Sequence, residues 1–486
     1  MTLNRPNLLK LAAPALVFAA VLAALLLVNR SSSLDPPGRP AAGTGAGPPA
    51  LSGSTQERLD TLQAAVRAEP GAAGAYALLG DAYLQRARET GDPSFYTRAD
   101  RSYGAALRRD PRELTALIGA ATLANTRHDF SRGLRLGLEA HRLAPALVRP
   151  YTVIADAQVE LGRYDAAGRT IQRAVDLKPT LATYARASYY DELNGDLAAA
   201  AQAMGLAASA GAGSPENVAY VQTLLGDLEL ARGRVGAARD AYREALAAGS
   251  ESPPTTGRES GRRGGRDPAA GPAGGESGAQ PDAGVMAALA ARSVPRYALA
   301  YPPGLAGLAR VDIARGRLGR AISRLRAAAE RLPLTSTLTL LAETELATGR
   351  GAAARRDLAV VRAQQGLLRS AGTVPDAEAV VFEATHGSPS AAVALGRRVW
   401  RAAPSVRSAD ALGWALTRSG RPERGLTFAH RALRLGSRDP LFHFHAGISA
   451  GAAGQKGLAR RELRLALRLN PGFSPWLAER AREAVR

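Results

Sequence analysis

Cysteine is absent from all 486 residues. That excludes disulfides, thiolate zinc sites, iron–sulfur clusters, cysteine nucleophiles and a lipid-modified cysteine anchor. It does not identify a compartment. Lysine is almost absent too: Lys10, Lys178 and Lys456 are the only three among 63 basic residues. Aromatics make up 5%, thin for the core of a large enzyme. Acidic residues number 43, which leaves a net charge of +20. The arginines are spread along the chain beside abundant Ala, Gly and Pro. Composition alone leaves two readings open, a base-composition bias of the coding sequence and an attraction to acidic surfaces. The length exceeds one ordinary compact core and implies two or three domains or one elongated array.

Long apolar runs are scarce as well, with one exception. Residues 11–28 read LAAPALVFAAVLAALLLV and carry no charge. At ~1.5 Å per residue this spans about 27 Å, close to the hydrocarbon thickness of a bilayer. Arg5 and Lys10 precede it, and NRSSSLDPPGRP follows without a small-x-small cleavage pattern. Residues 1–30 are therefore expected to form an uncleaved signal-anchor or transmembrane helix. A signal peptide cut near Ser33 is the alternative. The flanking charges nearly balance, and the short leading tail favours a cytoplasmic amino terminus. The remainder is then extracytoplasmic, against a secreted or cytoplasm-facing alternative. Residues 31–56, rich in Ser, Pro and Gly, read as a flexible stalk.

The main signal is repetition. Pro111, Pro145 and Pro179 stand 34 residues apart, each after an amphipathic segment: SYGAALRRDP, GLEAHRLAP and IQRAVDLKP. Proline stops a helix because it lacks an N–H and disfavours α geometry in the residue before it. Breaks such as Leu161-Gly162-Arg163-Tyr164 divide each period, so each holds two helices and a tight turn. Small residues (Ala155, Ala167, Ala174) alternate with fillers (Tyr151, Tyr164) where helices would touch. This pattern resembles the tetratricopeptide-repeat (TPR) family. YTVIADAQVELGRYDAAGRTIQRAVDLKP and HAGISAGAAGQKGLARRELRLALRLNP are close matches, and looser copies bring the total to about ten. With the amino-terminal run, the chain resembles bacterial TPR proteins that carry a single span.

The resemblance implies an all-α, superhelical helix-turn-helix solenoid behind the anchor. Its first half is expected over 57–249 and its second over 285–472. Residues 250–284, dominated by Gly, Pro, Ser and Arg, read as a disordered insertion. Arg258, Arg262, Arg263 and Arg266 lie there without flanking aromatics, so nucleic acid is not the expected partner. Residues 473–486 supply a capping helix, with Pro475 at its start and Trp476 and Leu477 facing inward.

No H-E-x-x-H, G-x-S-x-G or phosphate-loop motif occurs. His443 and His445, two positions apart, point about 200° apart on a helix and make a poor metal pair. No catalytic, metal or cofactor site is expected. In TPR proteins the first helix of each pair lines a concave groove. On this chain that face maps onto Asp81, Gln85, Asn125, Asp156, Glu160, Tyr189, Glu192, Tyr220 and Asp227, with Trp414 in the second half. The expected function is a non-catalytic, membrane-tethered scaffold for protein partners, its acidic groove suited to a basic or donor-rich segment. The alternatives are an accessory subunit of an envelope enzyme complex and a basic module that binds anionic envelope polymers.

Overall fold

The computed structural model describes residues 54–90, 92–250, 301–370 and 372–486. The described residues are all-α, with 22 α-helices and no strand. The expected anchor and the insertion over 251–284 lie outside them. No helix among the described residues is long and apolar enough to cross a membrane.

A leading helix, α1 (Thr55–Ala68), opens two residues before position 57. Ser54 caps it through a reciprocal box with Glu57. Ten helix pairs follow. The first five are α2 (Ala73–Thr90) with α3 (Ser94–Arg109), α4 (Leu114–Thr126) with α5 (Phe130–Leu143), α6 (Val148–Glu160) with α7 (Tyr164–Leu177), α8 (Leu181–Leu193) with α9 (Leu197–Gly211), and α10 (Pro215–Ala231) with α11 (Val235–Ser250). The second five are α12 (Pro302–Ala314) with α13 (Leu318–Arg331), α14 (Thr335–Ala347) with α15 (Gly351–Ser370), α16 (Ala377–His386) with α17 (Pro389–Ala402), α18 (Val406–Arg418) with α19 (Pro422–Ala432), and α20 (Pro440–Ala452) with α21 (Lys456–Leu469). Helix α22 (Pro475–Val485) ends the chain, capped by Ser474 with proline in its first turn.

Each pair buries little by itself, so stacking depends on matched holes and plugs. Tyr103 on α3 is fully buried. It fills a slot between α2 and α4 because Gly80 and Gly119 lack side chains there. A Cβ at either would come within 2.5 Å and 2.4 Å of the Tyr103 ring. Its hydroxyl donates to Asp81 at 2.7 Å, which satisfies the one polar atom on the plug. Tyr242 on α11 repeats the device between Gly226 and Gly307 and donates to Asp227 at 2.5 Å.

Gly119→Ala is therefore expected to lower the thermal midpoint, at a cost of about 1–3 kcal/mol from overpacking. Gly205→Ala, where a Cβ meets only open space, is expected to be neutral or stabilising. Equal melting of the two variants would remove the plug-and-hole account.

Candidate interaction lumen

The intra-repeat turns need a residue with positive φ, and glycine takes it in most copies. Two of these turns also touch something distant. A Cβ on Gly162 would sit 2.4 Å from the Pro404 carbonyl oxygen, and one on Gly195 would sit 2.1 Å from that of Gly436. In the preceding copy His128 takes the turn position at φ 62°, and its Nδ1 lies 2.8 Å from the Val374 carbonyl. The Val374 N–H donates to the Arg127 carbonyl at 3.3 Å. Three successive intra-repeat turns thus rest on three successive inter-repeat loops of the second half.

Apolar residues close the same seam. Val159, Tyr164 and Leu193 share one buried cluster with Val406, Ala409 and Phe442. The Val406 N–H donates to the Tyr164 hydroxyl at 2.7 Å, and burial pushes that phenol up to about 12. The superhelix therefore stacks turn on turn. The groove expected from sequence becomes a lumen walled by first helices from both halves.

Within it, Glu160, Tyr189 and Glu192 from α6 and α8 face Glu378, Arg407 and Asp439 from the second half. Arg407 pairs with Glu378 at 3.4 Å and lies against Tyr189 and Glu160. Glu378 and Arg407 border both a small space beside Glu160 and His128 and a larger cavity of about 330 Å³ that Arg310, Glu343, His386 and Asp439 also line. Carboxylates outnumber cations here, and the surrounding protein holds water back. Burial, then Asp376, raises Glu378 to about 7 against the pull of Arg407. Glu192 is exposed to the lumen yet surrounded by protein, which with Asp439 and Asp227 raises it to about 7 as well. Burial likewise raises Glu160 and Asp439.

Charge is sorted by helix position. The ten first helices carry 15 carboxylates and 7 arginines, while the ten second helices carry 10 carboxylates and 29 basic side chains. The chain is acidic inside and strongly basic outside.

The residues expected on the groove divide. Glu160, Tyr189, Glu192 and Asp227 stand in or beside the lumen, though Asp227 accepts from Arg310 at 2.7 Å as well as from Tyr242. Asp81 and Gln85 lie in the first pair, Gln85 donating to Glu89 at 2.9 Å. Four expectations need correction, because burial or pairing removes them from contact with a partner. Asn125 is 2% exposed and donates to the Val153 carbonyl across the next interface. Asp156 forms a buried two-point bridge with Arg186 at 2.7 and 2.8 Å, joining α6 to α8. Tyr220 is packed in the cluster around Leu181 and Val221. Trp414 is 3% exposed, stacks on His445 at 4.3 Å and donates to Thr385.

His443 and His445 are core residues with separate carboxylate partners, Glu462 and Asp410. No cluster of three metal-ligating side chains occurs among the described residues. The missed members of the lumen, Glu378 and Asp439, carry no local sequence signal. Helix α22 does more than cap: Trp476 stacks on His386 of α16 at 5.6 Å, and Leu477 lines the larger cavity.

The tetratricopeptide-repeat family model matches residues 148–181 and a second such model matches 216–253. These two segments carry tetratricopeptide repeats. Among solved structures, the chain is similar to TTC0263, a thermophilic TPR protein of Thermus thermophilus, at 20% identity. The match covers 37% of this chain and 93% of that one, with a TM-score of 0.33. YrrB, a TPR protein with an unusual peptide-binding site, matches at 16% identity over 40% and 95% of the two chains, TM-score 0.27. The Cut9–Hcn1 hetero-tetramer of the APC/C matches at 15% identity over 87% and 81%, TM-score 0.33. No curated protein matches the chain.

The seam has a direct test. Gly195 and Gly454 share φ +79°, but only Gly195 faces another backbone. Alanine at Gly454 is expected to cost only the left-handed strain, about 1–2 kcal/mol. Alanine at Gly195 is expected to cost more and to enlarge the radius of gyration in X-ray scattering. Identical scattering and stability for both variants would contradict turn-on-turn stacking.

Proposed function

We infer that this chain is a membrane-tethered, non-catalytic scaffold whose lumen takes an extended, basic segment of a protein partner. The repeats make it an interaction scaffold in general. The acidic interior of an otherwise basic molecule supports the finer reading. A guest rich in Arg or Lys would neutralise Glu160, Glu192 and Glu378, each of which is now opposed by a nearby aspartate. An extended conformation suits a channel walled by parallel helices, each offering one or two side chains at its own level. The tether is supported by the uncharged run at 11–28 and its basic flank.

Glu160→Lys with Glu192→Lys is expected to weaken binding of an Arg-rich extended peptide by tenfold or more. Unchanged affinity for the Arg-rich peptide would overturn the proposal.

The raised carboxylates also fix a pH dependence. Glu192 and Glu378 ionise in the folded chain near 7 and at an ordinary 4.5 when unfolded. Between those values the folded state binds more protons, so stability contributed by these groups falls as pH rises from 4.5 to about 7. The guest needs the ionised form. Peptide affinity is expected to rise over the same interval in which the empty protein loses stability, measured by titration calorimetry and thermal melting. Parallel trends in the two quantities would refute this assignment.

A further inference from the structure

The outer face carries a second feature, distinct from the lumen. Helices α17 and α19 flank an open cleft of about 670 Å³. Its rim is Arg397, Arg401, Arg424 and Arg431, all exposed. None of the four has a carboxylate partner among the described residues, and α17 holds no acidic side chain at all. The floor is apolar: Trp400 and Phe428 meet edge to face, centroids 5.3 Å apart and planes at 90°, beside Leu412 and Leu416 of α18. Arg431 lies over the Phe428 ring at 4.7 Å.

We propose that this cleft binds single-stranded nucleic acid, with phosphates on the arginine rim and bases against Trp400 and Phe428. Guanidinium forks match phosphate oxygens, and arginines without a carboxylate partner break no ion pair to turn toward them; Arg401 gives up only a 3.3 Å bond to the Arg397 carbonyl. The floor offers π-faces and methyl groups, which suit a planar base. It offers few acceptors, since Thr427 is the single uncharged polar side chain on the wall. A hydroxyl-rich sugar polymer needs many acceptors. The sequence pointed away from nucleic acid because its Arg cluster at 258–266 has no aromatic neighbours. The fold instead collects arginines from two successive second helices around two rings.

The test uses the full chain and a labelled single strand of about 12 nucleotides, within the footprint usual for stacking sites. Binding is expected, with quenching of tryptophan emission that is lost when Trp400 is replaced. Trp400→Ala is expected to weaken it by about tenfold, the effect of losing one stacking platform. The exposed pair Arg397→Gln and Arg401→Gln keeps the test independent of packing. It is expected to reduce the slope of log affinity against log salt by about one to two. A duplex of the same sequence, or a base-free glycerol-phosphate polymer standing in for an envelope polymer, binding as tightly would overturn the proposal. So would quenching of tryptophan emission that persists in Trp400→Ala, or a salt slope that the arginine pair leaves unchanged.

Discussion

Two turns of the superhelix meet backbone to backbone at Gly162 and Gly195, and the interior depends on that contact. An isolated repeat array buries surface only between neighbours, and its groove stays open to water. Here Val159, Tyr164 and Leu193 find Val406, Ala409 and Phe442 from the far half of the chain. Once the turns stack, side chains that would be ordinary solvated positions on a groove are enclosed together. The raised carboxylates follow from this enclosure and from the mutual repulsion of Glu192, Asp227 and Asp439.

The charge pattern has the same origin. First helices face inward and carry the acids, while second helices face outward and carry most of the arginines. A net charge of +20 therefore says little about the surface a guest would meet. Field lines from the outer arginines attract anions to the convex side, and the lumen attracts cations. One chain presents opposite preferences on its two faces, and each face can be altered without touching the other.

Much of the local architecture was legible in the sequence. Prolines at 34-residue intervals mark the ends of second helices, and Gly80, Tyr103 and Ala106 mark a packed pair. The seam was not legible, for a physical reason. Gly162 and Gly195 look the same as Gly316 or Gly454, because every such turn needs positive φ whether or not anything lies beyond it. Helical phase also failed at Asn125, Asp156 and Trp414. Each sits on a first helix at a position that favours the groove, but a cross-interface partner (the Val153 carbonyl, Arg186, His445) draws the side chain into the stack. Pairings of that kind span repeats and leave no mark at fixed spacing.

The closure of the ring is the claim on which lumen, raised carboxylates and guest binding all stand. The chain has no cysteine, so two can be placed at will. Spin labels on Arg163→Cys and Arg434→Cys would read the separation directly, since the Arg434 guanidinium lies 3.4 Å from the Gly162 carbonyl. A short, narrow distance distribution is the result that closure requires. A long, broad one, as an open superhelix would give, would contradict it.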